Sequence, residues 1–229
     1  MNIGGFQKFS LIDFPERTSI VIFTQGCLFR CAYCHNPELI PLQSASSVDK
    51  NDILWYLKKE KKLIDGVCIT GGEPTLQRDL PDFIKEIKDL GFAVKLDSNG
   101  IRPDIVSQLI QQGLLDYVAM DLKHTWEKYG SVINIPGEEI IARCRETFQL
   151  LQTSGIDHEF RTTILPGTHT REDFFTMTGY LKKGERYFIQ QTRFEKNLNP
   201  EIQREIGFDA EELAKDLQQT YPDIIITKR

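Results

Sequence analysis

Short apolar runs and longer amphipathic stretches alternate along most of the 229 residues. SIVIFT (19–24) is a β-branched run short enough for a buried strand, and KNDILWYLKKEKK (50–62) spaces its apolar residues as a helix with a charged outer face does. The unit then recurs. GVCIT (66–70) precedes a helix predicted over 80–90, FAVKLDS (92–98) one near 103–112, and DYVAMDL (116–122) one near 138–152. EFRTTIL (159–165) is followed by a predicted helix over 171–182, and RYFIQQ (186–191) by one over 209–219. Parallel strands need crossover connections, so six strand–helix units at this spacing predict an α/β protein with a parallel sheet and helices outside it. Periodicity alone leaves an open barrel of six β/α units and a doubly wound flat sheet as alternatives.

Motif placement narrows the choice, because in either fold functional residues gather at the carboxyl ends of parallel strands. TQGCLFRCAYCHNPE (24–38) follows the first strand, ITGGEPT the second, and DSNG ends the third; MDLKH, RTTILPG and QQTR end the fourth, fifth and sixth. All of the unusual motifs fall on one rim, which favours a single active site around a partial barrel.

Composition sets broader bounds. A hydrophobic fraction of 40% is ordinary for a globular core, and no Gly/Ser linker interrupts the pattern, so 1–229 is read as one domain with a core of about 16–193 and a C-terminal helix and tail over 194–229. A net charge of −5 without a polybasic block argues against non-specific nucleic-acid binding. The opening MNIGGFQKFS lacks the charged start and apolar stretch of a signal peptide, and no run approaches membrane-span length, so the expectation is a cytoplasmic protein with no membrane partner. Five cysteines, three of them in one loop, are poor disulfide material and suit a reducing compartment.

Those three, Cys27, Cys31 and Cys34, form a C-x3-C-x2-C triplet. Three thiolates are one ligand too few for a closed zinc site or a fully capped iron–sulfur cube, and a four-iron–four-sulfur (4Fe–4S) cluster held this way keeps one iron open to a small molecule. Zinc, a disulfide or plain buried thiols are the ordinary alternatives. Zinc sites usually add a second C-x2-C or a His pair, whereas Cys68 and Cys144 are isolated, and His35 directly follows Cys34, where joint chelation of one ion is awkward. The balance falls on iron and sulfide.

A C-x3-C-x2-C triplet with an aromatic residue before its third cysteine, here Tyr33, resembles the cluster motif of the radical S-adenosylmethionine (SAM) enzymes. CAYCHNPE looks like the glycyl-radical-enzyme activating enzymes, and GGFQKFSLIDFPERTSIVIFTQGC is similar to the branch that activates anaerobic ribonucleoside-triphosphate reductase. The resemblance runs from about Gly4 to Arg193. It implies a partial (β/α)6 TIM-like barrel of radical SAM type, with Cys27, Cys31 and Cys34 holding the 4Fe–4S cluster. It also implies the chemistry, in which SAM on the open iron is cleaved reductively and the resulting radical takes hydrogen from a partner's glycine.

The same resemblance implies which residues surround SAM. Tyr33 and His35 flank the third cysteine, and Gly71, Gly72, Glu73 and Pro74 match the SAM-binding GGEP segment. Glycines at a strand end let backbone approach a ligand, and a carboxylate there accepts from the SAM ammonium; the ordinary reading of GGEP is a tight strand-to-helix turn. Ser98 and Asn99 belong to a DSNG segment resembling the family's DTNG, with the hydroxyl kept, and Asp121, Leu122 and Lys123 to a D-x-K segment. Arg161 corresponds to the active-site wall, against the ordinary reading of an ion pair or a solvated strand end. Arg193 stands about where the pyruvate formate-lyase activating enzyme carries a SAM-contacting histidine. Cys68 reads as a core thiol, Cys144 as a helical thiol of either face, and His124, His158 and His169 lack metal-ligand spacing.

The partners implied are a glycyl-radical enzyme, with the anaerobic reductase foremost, and a one-electron donor such as flavodoxin or ferredoxin. Two other functions stay open. A radical SAM enzyme for a small molecule, like the 7-carboxy-7-deazaguanine synthases, keeps the plan and changes the substrate. A non-catalytic iron–sulfur electron carrier explains the cysteines and leaves GGEP, DSNG and DLK without a purpose.

Overall fold

The computed structural model describes residues 1–42, 48–135, 137–194, 196–201 and 208–229. Part of the C-terminal tail, residues 195 and 202–207, therefore lies outside the described residues. Among the described residues eight strands form one sheet in unbroken sequence order: β1 (Ile3–Ser10), β2 (Ser19–Thr24), β3 (Gly66–Gly71), β4 (Ala93–Ser98), β5 (Tyr117–Asp121), β6 (His158–Thr163), β7 (Arg186–Gln190) and β8 (Ile225–Lys228). β1 runs antiparallel to β2, and every later pairing is parallel.

Strand order separates the two folds that periodicity left open. A doubly wound sheet reverses its order at a switch point. Here the order never reverses, so right-handed crossovers keep all the helices on one face and the sheet curls around the other as a partial barrel. The helices are α1 (Lys50–Lys59), α2 (Leu80–Asp89), α3 (Pro103–Gln111), α4 (Tyr129–Ile133), α5 (Glu138–Ser154), α6 (Arg171–Thr178) and α7 (Ala210–Thr220). Six β/α units run from β2–α1 to β7–α7 as the sequence predicts, and β1, β8 and the short α4 are additions to it.

Local chemistry explains most boundaries. Asp49 and Asp209 cap α1 and α7 by accepting from backbone N–H groups of the first turn, and Thr170 with Asp173 forms a reciprocal capping box on α6. α1 stops at Lys59, three residues short of the predicted end, once the buried Ile53, Leu54 and Leu57 have spent its apolar face. Alternation in the strands then sorts side chains between two environments. Leu96, Val118 and Phe160 are fully buried, and Phe160 meets Phe148 of α5 at 4.3 Å between ring centres. The alternate positions Lys95, Asp97, Asp121, Glu159 and Arg161 form ion pairs among themselves and with their neighbours. The barrel interior is therefore polar and charged, while the hydrophobic core lies between strands and helices.

The ends and edges are managed separately. The Phe14 ring sits 6.2 Å from that of Tyr117 at the amino ends of the strands, and Arg229 pairs with the buried Glu159 at 2.9 Å. On the outer edge of β8, Gln218 of α7 accepts from Ile226 N–H at 3.0 Å and donates to Ile224 O at 2.9 Å, which occupies groups an edge strand otherwise presents to another chain. No described helix is long and apolar enough to cross a membrane.

Candidate active site

The cysteine loop leaves the carboxyl end of β2 and is fastened from several sides. Gly26 and Cys27 donate their N–H groups to Leu39 O and Ile40 O at 2.7 and 3.0 Å, and the Gln25 amide donates to Glu38 O and Pro41 O at 2.9 and 2.8 Å. Arg30 Nη1 donates to the carbonyls of Cys27, Leu28 and Phe29 at 2.9, 3.1 and 3.0 Å. From the segment after β7, Leu198 and Asn199 donate N–H groups to Cys34 O and Ala32 O at 3.2 and 3.0 Å.

Gly71 and Gly72 serve the same loop. Gly71 has φ +114°, which favours glycine, and a Cβ on Gly72 would stand 2.2 Å from Gly26 O. Without side chains there, the end of β3 lies directly against the cysteine loop, with Gly72 N–H on Thr24 O at 2.9 Å and Glu73 N–H on Gly26 O at 2.8 Å. The end of β3 thus packs against the protein's own chain, and both glycines also line the cavity described below.

Glu73 is fully buried and joins two rim loops. Its Oε1 accepts from Thr75 N–H at 3.1 Å, Thr75 Oγ1 at 2.6 Å and Ser98 Oγ at 2.9 Å; its Oε2 accepts from Asn99 N–H at 2.7 Å. Burial raises its pKa against the pull of those hydrogen bonds. Asn99 extends the chain of contacts: its Oδ1 accepts from Ile101 N–H at 3.1 Å and its Nδ2 donates to Cys27 Sγ at 3.8 Å.

Below these loops, ion pairs cross the barrel. Arg161 of β6 binds Asp121 of β5 through Nε at 3.0 Å and Asp97 of β4 through Nη1 at 2.9 Å. Lys123 reaches Asp121 at 2.9 Å and lies 5.4 Å over the Tyr33 ring, and Lys95 pairs with Asp97 at 2.5 Å. Burial alone would raise the Asp97 pKa, but Arg161 and Lys95 hold it down at about 2. Asp121 is lowered in the same way by Lys123 and Arg161, and Lys123 is raised well above its usual value by Asp121 despite burial.

One cavity of about 340 Å³ connects these features, within the size range of small-molecule sites. Cys27, Cys31, Cys34, Tyr33 and His35 line it from the cysteine loop. Gly71, Gly72, Glu73, Ser98, Asn99, Asp121, Lys123 and Arg161 line it from the other strand ends. Three residues that the sequence groups with them lie off it. Leu122 follows Asp121 on the opposite face of the chain, as a period of two requires, and is fully buried, its N–H on Arg161 O at 2.8 Å and its carbonyl accepting from Thr162 Oγ1 at 2.6 Å. Pro74 is buried at the start of the 3-10 turn Pro74–Leu76. Arg193 is exposed, and its backbone N–H donates to His35 Nε2 at 3.2 Å.

Of the other residues on the cavity wall, Thr70, Asp97, Thr163 and Gln190 lie in motifs that the sequence places on the rim without singling them out, whereas Asp13 and Phe23 lie outside those motifs. For Asp97, Thr163 and Gln190 a signal exists, since a polar side chain within a buried parallel strand must find a polar interior. Asp13 comes from the loop after β1, a strand the pattern does not announce. Cys68 and Cys144 are both fully buried and belong to the packing of the sheet and of α5.

The donor set fits an iron–sulfur cluster. Burial, with Glu73 adding to it, pushes the Cys27 thiol up to about 12, and burial pushes Cys31 up to about 11 and Cys34 upward as well. Such thiols stay protonated at neutral pH unless a metal's positive charge displaces the proton. Among the described residues no group of three His, Cys, Asp or Glu side chains could hold a single metal ion. Three thiols lining one cavity match the donor set that would hold a cluster with one iron left open.

Comparison with known proteins agrees with this geometry. The Radical SAM superfamily matches residues 21–177. A protein of Methanocaldococcus jannaschii whose name assigns it provisionally to the glycyl-radical enzyme activating enzymes is 34% identical over 195 residues, covering 82% of this chain and 79% of its own. The pyruvate formate-lyase-activating enzyme of Staphylococcus epidermidis is 29% identical over 193 residues, covering 79% and 75%. Among solved structures, SuiB of Streptococcus suis bound to S-adenosylmethionine superposes with a TM-score of 0.68 at 14% identity over 91% of this chain, which spans 49% of that protein. Native anSMEcpe with bound AdoMet superposes with a TM-score of 0.59 at 14% identity, over 90% of this chain and 61% of its own. At that identity the structures speak for the fold, the partial barrel of the radical SAM enzymes. The family's cofactors are a 4Fe–4S cluster and SAM, and this chain is an enzyme that belongs to the radical SAM superfamily, among the relatives of the glycyl-radical-enzyme activating enzymes.

Proposed function

We propose that this protein installs a glycyl radical on an anaerobic ribonucleoside-triphosphate reductase. The observation that carries the reading is the meeting of Cys27, Cys31 and Cys34 with Asp121, Lys123 and Arg161 around one cavity. The opening GGFQKFSLIDFPERTSIVIFTQGC and the string CHNPE support the choice of partner.

In this reading Cys27, Cys31 and Cys34 hold the cluster, which when bound supplies the electron that cleaves SAM and makes a hydrogen-abstracting radical. The side chains position and enclose rather than act as acids or bases. Lys123, kept charged by Asp121, offers the cation for the SAM carboxylate, while Tyr33 covers the same wall. Arg161 keeps Asp97 and Asp121 ionised and fixed, so the floor of the cavity needs no reorganisation when SAM arrives. The sheet ends at β1 and β8 without closing, which leaves a gap in the wall for a loop of a macromolecular partner. The electron comes from a flavodoxin or ferredoxin in the cytoplasm, where such a reductase works.

Label transfer tests the reading. With reductant, SAM and a reductase carrying α-deuterated glycine, deuterium should appear in 5′-deoxyadenosine. Turnover of a small purine precursor, with no label passing from the reductase, would replace this reading by the small-molecule one.

A further inference from the structure

Glu73 stands in a segment whose carboxylate is expected to meet the ammonium of SAM, yet the structure surrounds it with donors of its own chain. The carboxylate has no exposed surface and takes four hydrogen bonds, three on Oε1 and one on Oε2. An ammonium arriving from the cavity would have to compete with groups already in contact at 2.6–3.1 Å. Those contacts lead to a cluster ligand. Glu73 Oε2 fixes the backbone of Asn99, Ile101 N–H occupies Asn99 Oδ1, and that occupation leaves Nδ2 to point at Cys27 Sγ, 3.8 Å away. The amide orientation follows from the network, since only a donor can face the sulfur while Oδ1 accepts from Ile101.

We infer that Asn99 sets the reduction potential of the cluster carried on Cys27, and that Glu73 acts through Asn99 as a positioning residue instead of binding SAM. The inference rests on the three cysteines holding the family's cluster. An N–H donor aimed at a ligand sulfur favours the reduced cluster, which carries the extra negative charge, and so raises its potential. The bond is as rigid as its supports. Asn99 is 6% exposed, and its backbone N–H, its Oδ1 and its Nδ2 are all engaged, so the donor is in place before SAM binds.

The test compares SAM-free potentials, read by redox titration of the reduced-cluster electron paramagnetic resonance signal, in reconstituted wild type, Asn99→Ala and Asn99→Asp. Asn99→Asp keeps the acceptor for Ile101 N–H, removes the donor and adds a negative charge that also lowers the potential, so it serves where the alanine variant folds poorly and should shift further than Asn99→Ala, whose neutral side chain isolates the loss of the donor. Both should hold a full complement of iron and shift to a more negative potential, whereas a residue that only supports the fold would lower iron content and leave the potential of the remaining clusters unmoved. Glu73→Gln should retain the wild-type dissociation constant for SAM, measured on the oxidised cluster. An unchanged potential in iron-replete Asn99 variants, or a tenfold loss of SAM affinity in Glu73→Gln, would overturn the inference and leave the cofactor assignment standing. A wild-type protein that takes up no cluster would overturn both.

Discussion

Arg161 on β6 reaches past its neighbour β5 to bind Asp97 on β4 at 2.9 Å, while its Nε holds Asp121 of β5 at 3.0 Å. One guanidinium therefore ties three consecutive strands together from the inside of the barrel. A planar fork of donors suits this role, because two carboxylates on different strands can be met at once and the charge persists at any physiological pH. The same contact places two ionised carboxylates on the floor of the cavity without leaving either unpaired.

Removing that fork should be costly. Arg161→Ala leaves Asp97 with Lys95 and Asp121 with Lys123, so the expected loss is about 3 kcal/mol, the low end for breaking a buried pair. The effect carries a pH signature. Both carboxylates titrate below their ordinary value in the folded state, so the stability they contribute is present above pH 3.8 and is lost as pH falls below it, for Asp97 toward about 2. In urea titrations of the metal-free protein, the gap between wild type and Arg161→Ala should narrow as pH drops through this window. A gap that stays constant would show that Arg161 stabilises through packing alone.

Gly72→Ala should damage the cluster site more than it damages the barrel. Its Cβ would fall 2.2 Å from Gly26 O, and that neighbour is backbone, unable to swing aside as a side chain can. The cysteine loop has to move, and iron retention after reconstitution should drop sharply while far-ultraviolet circular dichroism stays close to wild type. Full iron content in this variant would mean the loop is not held by the end of β3.

Iron analysis separates the thiols. Anaerobic reconstitution should yield about four irons and four sulfides per chain, the complement of one cubane. Cys31→Ala should abolish the cluster absorption, whereas Cys144→Ala, which alters a thiol buried among the packing of α5, should leave it intact. Stoichiometric zinc without sulfide in an anaerobic preparation would refute the assignment.

How much of this is visible in the chain depends on whether the cause is local. The parallel units and the rim motifs are legible because a buried parallel strand is a short apolar run, and its carboxyl end is marked by the residues that break it: Gly71 and Gly72 at the end of β3, Asn99 and Gly100 after β4. β1 escapes notice because IGGFQKFS has two glycines and polar residues at exposed edge positions, and β8 because it is four residues long with one buried position. The span from Arg161 to Asp97 depends on how tightly the sheet curls, which no single strand encodes. Glu73 is the clearest example of a motif whose position is legible and whose contacts are not. Its donors come from Thr75 nearby and from Ser98 and Asn99 on the next rim loop, and only the assembled barrel brings the two loops together.

The central claim, that this protein makes a radical on a partner's backbone glycine, is tested most directly by electron paramagnetic resonance. Reduced, cluster-loaded protein is mixed anaerobically with SAM and an anaerobic ribonucleoside-triphosphate reductase of the glycyl-radical type, and the spectrum is recorded after freezing. The account predicts a stable organic radical whose signal is a doublet, split by the remaining α-hydrogen, and collapse of that splitting when the reductase carries α-deuterated glycine. SAM cleavage with no organic radical on the reductase, or a doublet that deuterated glycine leaves unchanged, would contradict it.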